Sequence, residues 1–68
     1  LEQGEAGVAE IDAAMRDGRW KTAVNLLSER AARHPANAWT QQHYATALEH
    51  AGEAEKAAEA RMRLATLS

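Results

Sequence analysis

Apolar residues along this chain recur at helical spacing from one end to the other. Val8, Ile11 and Met15 fall at i, i+3 and i+7 with Ala14 beside them, which predicts a first helix over about residues 4–17. The clearest stripe comes next: Trp20, Ala23, Val24, Leu27 and Ala31, at i, i+3, i+4, i+7 and i+11, predict a second helix over about 20–33. Tyr44, Ala45, Leu48 and Ala51 predict a third over about 38–51. Ala57, Ala60, Leu64 and Leu67, with Ala58, Met62 and Ala65 nearby, predict a fourth over about 53–67, the poorest of the four in bulky apolar side chains. No segment alternates as a half-buried strand does.

The breaks between these stripes carry their own chemistry. Gly18 and Gly52 each follow a helix, where glycine enters the left-handed conformation without a Cβ penalty. His34-Pro35 closes the second helix, because proline restricts the residue before it and donates no backbone hydrogen bond; Asn37 then stands as an N-cap for the third. Connections this short force sequence neighbours to pack antiparallel, giving two helical hairpins. Gly18 and Gly52 are also 34 residues apart, and they open related stretches, Gly18-Arg19-Trp20-Lys21-Thr22-Ala23 and Gly52-Glu53-Ala54-Glu55-Lys56-Ala57. A period of about 34 belongs to paired-helix repeats, whose units bury their apolar faces on one another. The expected organisation is one domain over 1–68, with units at about 4–37 and 38–68.

Composition narrows the function. A chain of 68 residues buries only roughly 60% of its unfolded surface, and it has no cysteine to cross-link, so stability must come from helix packing, self-association or neighbouring repeats. A net charge of -2 with both signs interspersed provides no field to gather nucleic acid or acidic lipid. No apolar run is long enough to span a bilayer or to form a secretory core. Catalysis lacks its parts: there is no glycine-rich phosphate loop, and Ser28 and Ser68 sit in no nucleophile motif, so neither an enzyme, a small-molecule substrate nor a cofactor is expected. His43 and His50 are seven residues apart, whereas chelation from one helix wants three or four, and no metal is expected. His34 reads as a cation complementing a helix C-terminus, and Asp12/Arg16, Glu29/Arg33 and Glu59/Arg63 as i,i+4 pairs on solvated faces. The start at Leu1 suggests a segment of a longer protein or a processed product, and the Arg- and Ala-rich usage suggests a bacterial source. Compartment is unreadable, with cytoplasm as the default.

Gly18, Trp20, Ala23, Leu27 and Pro35 match the order and spacing of the tetratricopeptide repeat, and Tyr44, Ala45, Leu48, Gly52 and Ala57 continue it in the second unit, so that essentially the whole chain resembles two units of that family. The resemblance implies an all-α fold of two antiparallel hairpins stacked as a short right-handed solenoid. Three departures qualify it. Ile11 stands where a small residue would let the first two helices approach closely, Ala54 replaces the aromatic seen at Trp20, and Arg61 replaces Leu27. The second unit thus reads as a terminal or divergent one.

In that family the first helices of the repeats line a groove for a peptide or a helix of another protein. The resemblance places Glu5, Val8, Asp12, Met15 and Arg16 of helix one there, with Trp39, Gln42, Thr46, Glu49 and His50 of helix three. Trp39 lies off its helix's apolar stripe and is either an interface anchor or packed back over Pro35 and the second helix, whereas Trp20 opens the strongest stripe and reads as core. Members that grip a terminal carboxylate use Lys and Asn where this chain has Val8 and Asp12, which disfavours that ligand. Val8, Met15 and Trp39 favour an apolar anchor instead. The expected role is a protein-protein interaction module. The alternative is a structural assembly element, a homodimerisation or docking domain of a larger multienzyme or secretion component, in which Met62, Leu64 and Leu67 meet a twin.

Overall fold

The computed structural model describes residues 7–67, and among these there are four helices and no strand: α1 (Val8–Arg16), α2 (Trp20–Arg33), α3 (Ala38–His50) and α4 (Ala54–Leu67). All four expected helices form. The first begins later than its pattern suggests, because Gly7 is extended, with φ -80° and ψ 161°, and serves as the N-cap; Gly4 and Glu5 lie outside the described residues. Asp17 and Ala51 are likewise caps and not the last helical residues.

Both hairpins turn in the same way. Gly18 and Gly52 have φ of +76° and +84°. Around each, the amide one residue later reaches back to the last turn: Arg19 N–H donates to the Ala14 carbonyl at 2.8 Å, and Glu53 N–H to the Leu48 carbonyl at 2.8 Å. The glycine amides add Gly18 to Met15 and Gly52 to Glu49, each at 3.2 Å. This is the Schellman arrangement, in which a left-handed residue lets two otherwise orphaned carbonyls find donors. Its bonds repeat with the same 34-residue interval that separates the glycines.

The middle connection is built differently. Asn37 caps α3, its Oδ1 accepting from Thr40 N–H at 2.9 Å and from Thr40 Oγ1 at 3.0 Å. Arg30 Nε donates to that same hydroxyl oxygen at 3.0 Å, and Gln41 Nε2 donates to the Pro35 carbonyl at 3.2 Å, so two buried polar residues tie α3 to the end of α2.

Main contacts run from each helix to the next along the chain. Ile11, Ala14, Ala23, Leu27 and Ala47 form a first core cluster among α1, α2 and α3, with Trp20, Leu26 and Trp39 partly buried against it. Ala45, Leu48, Ala57 and Ala60 form a second between α3 and α4. Val24 and Tyr44 touch both clusters. Ile11 is fully buried at the α1–α2 contact, whereas alanines dominate the α3–α4 contact, and small residues there let the two backbones come close. Arg61, one period after the buried Leu27, is exposed.

Candidate functional site

α1 and α3 are the first helices of the two hairpins, and their facing sides enclose a shallow depression of about 330 Å³ lined by Asp12, Met15, Arg16, Gln42, His43 and Thr46. Five of these six are among the residues that the family resemblance implies for a groove between helices one and three. Met15 is half-buried and supplies the apolar part of the surface; Asp12 and Arg16, one turn apart on α1, are exposed and make no ion pair among the described residues.

On the α3 side the polar groups have fixed roles. The Nδ1 of His43 lies 2.8 Å from the Trp39 carbonyl, which can only accept, so in the neutral ring Nδ1 carries the hydrogen and Nε2 is left as an acceptor. The ring is held flat against Trp39, with centroids 4.0 Å apart and planes at 23°. Thr46 Oγ1 donates to the Gln42 carbonyl at 3.2 Å, which spends its hydrogen and leaves its lone pairs open. Asp12, His43 and Thr46 therefore offer acceptors, Arg16 offers donors, and the Gln42 amide offers both.

The remaining expected residues go elsewhere. Val8, 42% exposed in the first turn of α1, does not line the depression. Trp39 is half-buried against the first core cluster; it stacks on His43, and the Arg30 guanidinium carbon is 5.8 Å from its ring centroid. Its contact with the depression is the stacking on His43. Glu49 faces α4, where Arg61 Nη2 lies at 2.6 Å and Arg61 Nε donates at 3.1 Å. That hydrogen bond chiefly holds the Glu49 carboxyl below its ordinary value of 4.5; some desolvation opposes it, and the charges of Arg61 and His50 add to it. His50 stacks on Trp20, centroids 4.1 Å apart, and both line a separate depression of about 420 Å³ together with Arg19, Lys21 and Thr22.

His43 is the residue of this depression that sequence reasoning passed over. Weighed only as a metal ligand, it nonetheless follows Gln42 directly and stands one turn after Trp39, the spacing at which two rings on a helix meet. Among the described residues no helix is long and apolar enough to cross a membrane. Compared with family models, with characterised proteins and with solved structures, the chain matches none of them.

Proposed function

We propose that this chain is a short tetratricopeptide-like interaction module, two hairpins stacked as a right-handed solenoid, that takes a peptide or helix of another protein between α1 and α3. The observation that carries this reading is the depression itself: a half-buried methionine between the first helices of two hairpins with the same turn, flanked by polar groups that keep hydrogen-bonding capacity among the described residues. The repeat in hydrogen bonding and the packing of each helix on the next support the stacked arrangement. Met15 accommodates an apolar side chain of variable shape. Asp12 and Arg16, one turn apart, favour a ligand with both charge signs around that anchor. A contact of this size belongs to the weak, transient class, with Kd in the micromolar range or weaker.

Selection of peptides from a displayed library, followed by amide chemical-shift mapping with the best binder, tests the reading. Shifts should concentrate at Asp12, Met15, Arg16, Gln42, His43 and Thr46. Met15→Glu should weaken binding roughly ten-fold or more, since it places a charge at the apolar anchor, while helical circular dichroism is retained. Binding that maps to another face, or that survives Met15→Glu unchanged, overturns the proposal. A structural role in assembly is the second reading, and the exposed outer face of α4 favours it.

A further inference from the structure

We infer that the outer face of α4 is a self-association surface on which two copies of this chain pair antiparallel about a two-fold axis, through Glu59, Met62 and Arg63. The inner side of α4 is accounted for: Ala57 and Ala60 are buried on α3, and Arg61 is drawn to Glu49. Met62 points away from all of this at 68% exposure, above Val8 at 42% and Leu67 at 37%. Glu59 and Arg63 flank it one turn apart with side chains 66% and 56% exposed, and the 3.9 Å contact between them is a solvated pair that is readily repartnered.

The order of these three residues selects the occupant. When two such helices run antiparallel, Glu59 of one copy faces Arg63 of the other, the reverse pair forms at the same time, and the two Met62 side chains lie between them. Parallel pairing would set like charges against each other. The face is thus complementary to itself in one direction only, and an isologous contact of that kind closes with two copies. α1 carries the same spacing, acidic at Asp12, Met at Met15 and Arg at Arg16, so α4 of one copy could instead enter the groove of another. That contact is heterologous: the pair would keep an open groove at one end and an open α4 at the other, and it closes only as a ring or not at all. The two-fold contact needs no residue of the groove, so it stands independently of the peptide-binding reading.

A single helix pair is small for an interface, and dissociation in the tens to hundreds of micromolar is expected. Sedimentation velocity on the whole chain at low salt, from about 10 μM to about 1 mM, brackets that range. The wild-type chain should pass from monomer to dimer. Glu59→Arg alone and Arg63→Glu alone should each weaken self-association roughly ten-fold or more, because each sets like charges opposite one another. An equimolar mixture of the two should form a heterodimer, and the double variant E59R/R63E should dimerise again, while Asp12→Arg should behave as wild type. Should either charge variant lose helical circular dichroism, Met62→Ser provides the uncharged check and should weaken the dimer with helicity intact. A chain that stays monomeric throughout, a mixture that fails to associate, or loss of association in Asp12→Arg overturns the inference; the last of these would assign α4 to the groove.

Discussion

Gly18 and Gly52 are the residues whose identity the backbone dictates most directly. Their positive φ is what allows Arg19 and Glu53 to reach back to Ala14 and Leu48, and an L side chain there is strained whatever room surrounds it. Room is in fact present: a Cβ on Gly52 would meet nothing within 4 Å, and one on Gly18 only Trp20 Nε1 at 4.0 Å. The cost of alanine is therefore conformational and should be the same at both sites, about 1 kcal/mol each, or roughly 4–8 °C in the melting temperature of so small a domain. Gly7, with φ of -80° and open space around it, carries no such left-handed penalty, and alanine there should cost only the N-cap preference for glycine. Thermal and urea unfolding of the three single variants measures this, and a marked difference between Gly18→Ala and Gly52→Ala would show that the two turns are not equivalent. These turns were legible because their chemistry is local. The stacking of His50 on Trp20 was not, since the two residues are thirty positions apart and meet only through the register of α3 on α2.

At the level of whole helices, legibility tracks how many sides a helix buries. α2 has one dominant buried stripe, and its pattern was plain. α3 packs on α2 through Ala47 and on α4 through Ala45 and Leu48, and it also buries Thr40 and Gln41 against the α2–α3 connection. Burial on several sides with small or polar residues blurs the 3.6-residue signal, which is why the expected stripe omitted Ala47, Thr40 and Gln41. α4 shows the opposite problem. Its alanines allow close approach to α3 but bury little area, and the Glu49–Arg61 bridge fastens the outer edge of the contact. The pairing is invisible in sequence because its partners lie on different helices. It makes α4 sensitive to acid: the Glu49 carboxyl binds a proton less readily in the folded chain than in the unfolded one, so the stabilisation it gives is complete above the ordinary carboxylate value of 4.5 and is lost as pH falls through the lower folded value. Melting temperatures of wild type and Arg61→Gln should therefore differ near neutrality and converge in acid, with titrations common to both chains cancelling in the difference. A gap independent of pH would mean that Arg61 acts through packing of its stem and not through the carboxylate.

On the scale of the whole molecule, two small clusters must behave as one domain although neither is large enough to be stable alone. The residues that belong to both are Val24 of α2 and Tyr44 of α3, and Tyr44 is the larger. In a chain built from consecutive packed units, stability is approximately the sum of what each unit contributes and what each contact between neighbours adds. Weakening the shared residue should therefore do more than lower the total. Tyr44→Ala removes a half-buried ring, for which a loss of roughly 2 kcal/mol is expected as a fraction of the cost at a fully buried aromatic. It should also uncouple the α3–α4 contact, with its alanine interface, from the α1–α2–α3 cluster that contains Ile11 and Leu27. Native-state hydrogen exchange reads this directly. In the wild-type chain the most protected amides of α2 and α4 should open with nearly the same free energy, as one cooperative unit; in Tyr44→Ala those of α4 should exchange well before those of α2. Equal loss of protection in both helices would show that the clusters remain coupled through Val24 and the backbone of α3, and that the chain is a single core and not two stacked hairpins.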